Sequence, residues 1–415
     1  MAVRILVAPA GARFSAESGS ESGWLYDVVT GVASSEPDFR FTCMAGGSDD
    51  ATPERIKVVT IGSWRSDELA GLSLPFRIDR AARAGVSSGQ FDLVHHGLPF
   101  AAGRSFSIVG ARAVRHGVPL VVGPVQTPLE WTGREERSGQ LAAVGGSASR
   151  ARLAAMARFA WPLFSAAFGR LSARTLRSAS RVVAISPAAR ELVIAAGVGP
   201  DRVEVIPPAV RLPSDGTQTW PRPGTSLRIL TAGYLIERKG TMEIVRAVAG
   251  LAAAGEPVVL DVAGDGPEMA HIREAVGSLT GGKSVRLHGW LERHRLAELY
   301  ATAHVYVSMS RAESWGHSLA DALGAGLVAV SSYNVGASAM VGMGAPLRVL
   351  PARDWKHLYE ELRQLCRSDV AELQQEGESG AGWAAATLSV PVIASRWSMI
   401  YREAVSGRPL PSPRG

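Results

Sequence analysis

Cysteine is nearly absent from this chain: Cys43 and Cys366 are the two among 415 residues. Two thiols build neither a disulfide framework nor a Cys-based metal site, and a reducing compartment fits. Long apolar runs are lacking as well. The nearest, residues 154–169, is interrupted by Arg158 and Pro162 and falls short of the roughly 20 apolar residues that span a bilayer. The first nine residues form an apolar strand without the basic region or cleavage site of a secretion signal, so a cytoplasmic location is expected. There is no Ser-His-Asp set in a nucleophile-elbow context, no His/Cys cluster of metal-site spacing and no Asp-x-Asp motif. Asp49-Asp50 reads as an isolated polar turn, and nothing calls for a divalent metal. The Gly/Ser loop from 11 to 23, with Glu17 and Glu21, lacks the Gly-x-Gly-x-x-Gly spacing of a tightly held dinucleotide.

What is present describes a globular protein of two domains: 46% hydrophobic residues, and a length beyond one ordinary core. Forty-five glycines point to many tight strand-to-helix turns. The net charge of +6 is unevenly spread. Nine arginines, Arg134 the first and Arg181 the last, face only Glu135 and Glu136 and interleave with Phe159, Trp161, Phe164 and Phe168. This stretch reads as a helix pair with a solvated basic face, or as a patch for an anionic membrane or acceptor. No nucleic-acid module accompanies it, so nucleic acid is not an expected partner.

Strand-like runs at 4–8, 56–61, 93–96, 119–122, 181–185 and 203–206 alternate with helical periodicity such as 24–33 and 187–196. A proline-bearing polar stretch, 212–226, reads as a linker. The alternation then restarts, with strands expected at 228–232, 258–263, 285–288, 304–307, 327–331 and 347–350. Helices are expected at 241–254, 268–276, 296–303 and 318–325. The pattern predicts an α/β protein of two Rossmann-like, doubly wound domains. Their expected bounds are 1–211 and 227–390, followed by a terminal helix at 391–405 and a disordered tail at 406–415.

In open parallel sheets ligands bind at the carboxyl ends of strands, and several candidate groups sit there. Gly233 to Gly240 follows the first strand of the second half and carries Tyr234, Arg238 and Lys239 into a helix start. Further on, a loop after the 304–307 strand carries Glu313, Ser314 and Trp315 before Gly316 and His317 open a helix that bears Asp321. A helix N-terminus attracts phosphate, and an acid beside it suits a ligand that also offers hydroxyls, as a sugar diphosphate does. Gly264 to Pro267 reads as a structural turn, and Gly289-Trp290 as a turn whose backbone could pair with a base. In the first half His95 and His96 end one strand and Gln126 follows the next. Adjacent histidines on a strand point to opposite faces, so at most one of the two faces a given cavity.

With these residues assembled, the chain resembles the retaining nucleotide-sugar glycosyltransferases of the GT-B fold, family 4. The resemblance runs nearly end to end. It rests on 91–96, 180–210, the Lys239-Gly240 helix start, Ala263 to Pro267, the block from Glu313 to Gly326 and Ser395-Arg396-Trp397. It implies two domains facing across a cleft, the last helix crossing back to the first domain, and closure that excludes water. It further implies transfer of a hexose-type sugar, from UDP more readily than from GDP, to an acceptor hydroxyl with retention of configuration. No tightly bound cofactor is implied, the nucleotide sugar being a co-substrate. Glu313 and Lys239 then take the catalytic positions; Arg238, Tyr234, Ser314, Trp315, Gly316, His317, Asp321, Gly289 and Trp290 take the donor side, and His95, His96 and Gln126 the acceptor side. Three positions depart from the family pattern. Asp321 replaces a second glutamate, Tyr234 an arginine and Gln126 a histidine. A tyrosine cannot neutralise a diphosphate as a guanidinium does, a deficit Arg238 or Arg311 would make good. These departures keep two other readings open: a nucleotide-sugar epimerase or other GT-B enzyme such as a glycan phosphorylase, and a nucleotide-sugar-binding protein without transfer activity.

Overall fold

The computed structural model describes all residues except 1, 12, 18–19, 49–51, 62–67, 98–99, 102–104, 128–168, 213–225, 352–353 and 408–415. Much of the basic aromatic stretch, nearly all of the 212–226 linker and the end of the tail thus lie outside the described residues. Among the described residues the chain divides into two compact units, the first holding those within 2–127, 169–209 and 390–407, the second those within 210–389.

The first unit is built on strands β1 (Val3–Val7), β2 (Phe39–Ala45), β3 (Ile56–Thr60), β4 (Leu93–His96), β5 (Phe100–Ala101), β6 (Leu120–Gln126), β7 (Arg181–Ala184) and β8 (Val203–Val205). They form one parallel sheet in the order β3-β2-β1-β4-β6-β7-β8, with β5 beside β6. The order reverses direction between β1 and β4. β2 is absent from the sequence-based set, and β6 runs four residues beyond its expected end. Helix Ser20–Ser35 begins four residues before its expected start.

Helix Val390–Ser406 packs back on this unit, as its buried residues dictate. Ile393, Trp397, Ile400 and Tyr401 recur at helical spacing and join the core with Trp24, Leu25, Phe39 and Phe41. Trp397 meets Trp24 edge-on at 5.7 Å, and Tyr401 meets Phe39 and Phe41 at 6.1 Å. Such rings gain about 0.5–1.5 kcal/mol per pair beyond their area burial.

The second unit comprises β9 (Leu227–Ala232), β10 (Val258–Ala263), β11 (Val285–Gly289), β12 (Val305–Ser308), β13 (Val328–Ser332) and β14 (Leu347–Leu350), all parallel in the order β11-β10-β9-β12-β13-β14. Buried valines, leucines and isoleucines from β9, β10, β12 and β13 pack on helix Thr241–Ala253 and helix Trp355–Arg367. Both sheets therefore have the doubly wound, Rossmann-like strand order, and the fold is α/β. In the second sheet the order reverses between β9 and β12. Loops leaving those two neighbouring strands diverge to opposite sides and open a crevice, the place where such sheets bind ligands. The chain enters this unit at Val210 and leaves at Ser389, and these two residues form an isolated parallel bridge.

Candidate active site

The loop after β9 closes in a single 3-10 turn, Glu237–Lys239, which Gly240 ends in the left-handed conformation at φ 68° before helix Thr241–Ala253. Glycine is required there twice over. A side chain resists that φ, and a Cβ would lie 2.3 Å from the carbonyl oxygen of Met309 in the loop after β12. The two loops of the crevice are therefore in backbone contact at Gly240, and the Arg311 amide donates to the Arg238 carbonyl at 2.9 Å.

This junction brings the two principal candidates together. Lys239 Nζ donates to Glu313 Oε1 at 2.5 Å, with the side chains 28% and 14% exposed. Arg238 lies 3.8 Å from the same oxygen and donates to the Ala312 carbonyl. Arg311 is paired with Glu237, so its charge is already offset, whereas Arg238 stays close to the acid. Sequence reasoning missed Glu237.

Gly316, at φ 94°, is the N-cap of helix His317–Gly324, and no side-chain hydrogen bond caps that end. The Leu319 and Ala320 amides turn back to the Gly316 carbonyl at 3.0 and 3.1 Å, which leaves the His317 and Ser318 amides at the positive end of the helix, on the side of Glu313 and Lys239. Burial pushes the His317 imidazole down to about 4; Glu313 opposes the shift, while Lys239 and Arg293 add to it. The ring is consequently neutral at pH 7. Ser314 and the Trp315 indole are buried, so Trp315 can offer a ligand its backbone only. Asp321 lies one turn beyond His317 on the same helix, and its charge is felt at Tyr300 and Tyr306. The hydroxyl of Tyr300 donates to the Ser318 carbonyl at 3.0 Å, and that of Tyr306 to the Ala232 carbonyl at 3.1 Å. The first bond ties the helix start to helix Arg293–Thr302, and the second ties β12 to the end of β9.

Tyr234, 52% exposed, and Trp290, 69% exposed, stand just beyond the carboxyl ends of β9 and β11. The turn from Gly264 is fixed by the Gly264 amide, which donates to the Gly289 carbonyl at 2.7 Å. Gly289 and Trp290 thus sit two strands from β9, about 10 Å away at the usual strand spacing.

In the first unit the acceptor-side assignment of His95 is corrected. Its ring is fully buried, with Nε2 3.0 Å from the Gly123 carbonyl and Nδ1 3.0 Å from the Tyr401 hydroxyl. A carbonyl only accepts, so Nε2 carries the proton and Nδ1 accepts from Tyr401. The ring also lies 4.8 Å from Trp397. His95 is a core residue that joins β4 to the last helix, and burial pushes it down to about 3. His96 and Gln126 do end neighbouring strands, although His96 is itself buried and pushed down to about 4.

Among the described residues no group of three or more His, Cys, Asp or Glu side chains is placed to hold a metal ion, and no helix is long and apolar enough to cross a membrane.

Two family models cover most of the chain: Glycosyltransferase Family 4 over residues 28–212 and Glycosyl transferases group 1 over residues 217–381. The chain is 28% identical over 344 residues to D-inositol 3-phosphate glycosyltransferase 1 of Catenulispora acidiphila, covering 77% of this chain and 74% of that protein. It is 26% identical over 166 residues to the GPI3 subunit of a Saccharomyces cerevisiae phosphatidylinositol N-acetylglucosaminyltransferase. That match covers 38% of this chain and spans 36% of the yeast protein's length. Among solved structures, sucrose-phosphate synthase from Thermosynechococcus elongatus superposes with a TM-score of 0.67 at 15% identity, over 98% of this chain and all of that one. Anabaena HepE in complex with UDP-glucose superposes with a TM-score of 0.61 at 16% identity, over the same shares. These likenesses fix the fold, and the two family models fix the kinship: the chain belongs to the GT-B glycosyltransferases, with a family 4 first half and a group 1 second half.

Proposed function

We propose that the chain moves a hexose-type sugar from a nucleoside diphosphate, UDP rather than GDP, to an acceptor hydroxyl with retention of configuration. The observation that carries this reading is the 2.5 Å approach of Lys239 to Glu313 across the reversal point of the second sheet. An ammonium and an uncapped helix N-terminus suit a diphosphate. A carboxylate next to them would repel that diphosphate unless it served the hydroxyls of an attached sugar.

As the sugar–phosphate bond breaks, negative charge grows on the departing diphosphate and the sugar becomes oxocarbenium-like. Lys239, Arg238 and the amides of Trp315, Gly316 and His317 are set to stabilise that charge. Glu313 orients the sugar through its hydroxyls. A diphosphate oxygen takes the acceptor's proton, so the reaction needs no separate base. Tyr234 and Trp290 border the nucleoside side, and Asp321 serves the ribose. His96 and Gln126 border the acceptor. HepE was solved with UDP-glucose, which supports a UDP donor. Two relatives are named for inositol-phosphate and phosphatidylinositol glycosyl transfer, which supports a cyclitol-type acceptor.

The test is a thermal-shift screen of the purified chain against UDP, GDP and their sugars. The best donor is then incubated with inositol phosphates, and the product's anomeric configuration is read by NMR. The reading predicts a UDP-sugar hit and a product of unchanged configuration. An inverted product, or donor conversion without any acceptor, would defeat it; the latter would favour an epimerase.

A further inference from the structure

Asn334 was singled out by none of the motif arguments, yet it lies at the centre of the polar network beneath Glu313. It follows β13, is 5% exposed, and caps helix Val335–Gly342 by accepting from the Ala337 amide at 2.9 Å. Its amide nitrogen donates to the carbonyls of Ser310, at 3.2 Å, and Ser332, at 3.0 Å. Ser332 Oγ donates to the same Ser310 carbonyl at 2.8 Å. Ser310 in turn is fully buried, and its hydroxyl lies 3.2 Å from the Ala312 carbonyl and 3.4 Å from that of Arg238.

The capped helix grips the other end of the same loop. Its second residue, Gly336, donates its amide to the Glu313 carbonyl at 3.0 Å. A Cβ on Gly336 would fall 2.1 Å from the Trp315 carbonyl oxygen, so the helix lies flush against the loop. Glu313 is thereby held from both sides, at Ser310 by the Asn334 carboxamide and at Glu313 to Trp315 by the helix whose start that carboxamide fixes. A carboxamide suits this place in a way its near-isosteres do not. Aspartate would keep the cap but set an anion against two carbonyl oxygens. Serine would keep a cap but has one donor at most.

We propose that Asn334 is a positioning residue, which sets the placement of the Glu313 carboxylate by bridging the Ser310 and Ser332 carbonyls while capping the helix that holds the Glu313 carbonyl. The catalytic consequence rests on the reading of Glu313 given above; the structural hold does not.

Two arms separate them. In the purified full chain, Asn334→Asp and Asn334→Ser keep a helix cap and remove the bridge. Amide hydrogen exchange of the segment 309–316 is then expected to quicken at least tenfold, with helix Thr241–Ala253 unchanged. UDP affinity by calorimetry should stay within twofold, while kcat falls about 10- to 100-fold, the scale of a sub-ångström to 1 Å misplacement. If either variant does not fold, Ser332→Ala, which removes only the 2.8 Å bond to Ser310, is read the same way, with a loss of kcat of about fivefold. Unaltered exchange over 309–316 in a folded variant overturns the proposal, and so does loss of UDP binding in step with kcat. Wild-type turnover in a parallel Glu313→Gln protein would instead remove the reading of Glu313, leaving the exchange result to decide on Asn334.

Discussion

Glu313→Gln is expected to abolish sugar transfer and, at the same time, to tighten the binding of free UDP. The carboxylate lies 2.5 Å from Lys239, and both side chains are largely shielded from water. On the proposed reading it neutralises, in the unliganded site, the ammonium that a diphosphate would meet, and in the complex it would stand close to a diphosphate of like charge. Two unit charges 4 Å apart interact by about 1 kcal/mol in water and about 4 kcal/mol at an effective dielectric of 20. A partly shielded group whose field Arg238 also dampens, from 3.8 Å, belongs toward the lower part of that range. About 1–2 kcal/mol corresponds to roughly 5- to 30-fold in Kd. The amide keeps the size and can still bond a hydroxyl, so the change removes charge and little else. Calorimetry with UDP and with the UDP-sugar separates the effects, since the sugar loses a charge-assisted bond while the diphosphate loses a repulsion. The affinity gain should be clear for UDP and smaller for UDP-sugar. Unchanged or weaker UDP binding, or turnover near wild type, would refute the placement of the two ligand ends.

Other substitutions test the frame around the site. Gly240→Ala forces a side chain into φ 68° and a Cβ to 2.3 Å from the Met309 carbonyl; a loss of at least about 2–3 kcal/mol is expected in denaturant unfolding, and an unchanged midpoint would contradict the loop contact. Tyr401→Phe leaves His95 Nδ1 without its donor in the core, which should cost about 1–3 kcal/mol by the same measurement, with donor binding preserved. The histidines make stability depend on pH. His95, His96 and His317 are held by burial near 3, 4 and 4, below their unfolded value of about 6.5, so the unfolded chain binds more protons as pH falls. Their contribution is complete above about pH 6.5 and is lost as pH drops toward 4, each adding up to about 1.4 kcal/mol per pH unit. Urea unfolding at pH 7.5 and 5.5 should show the decline; equal stability at both would mean the fold does not hold these rings neutral.

The reach of the sequence depends on how local each signal is. Lys239 and Glu313 are legible because charge, glycine and strand end fall within a few residues of one another. The face of His95 is not, because β4 is buried on both sides and alternation distinguishes nothing there. β2 was open to reading, since Phe39, Phe41, Cys43 and Ala45 alternate into the core, yet the exposed Arg40 interrupts the run. Helix Glu68–Ser87 contains Pro75, a residue that ordinarily ends the helical pattern. Helix Val370–Leu388 carries Gly377, Gly380 and Gly382, which weaken any propensity argument; at Gly380 the reason is tertiary, a Cβ there falling 3.1 Å from Leu323 on the helix that bears Asp321. Asn334 shows the same limit at the site itself. Asparagine before a helix is a legible cap, and that much follows from its place after β13. Its second duty, toward a carbonyl 24 residues earlier in the chain, exists only because β12 and β13 are neighbours in the sheet. A motif can thus bring an acid such as Glu313 into view, whereas the groups that hold its loop are set by strand order, and strand order becomes visible only once the sheet is assembled.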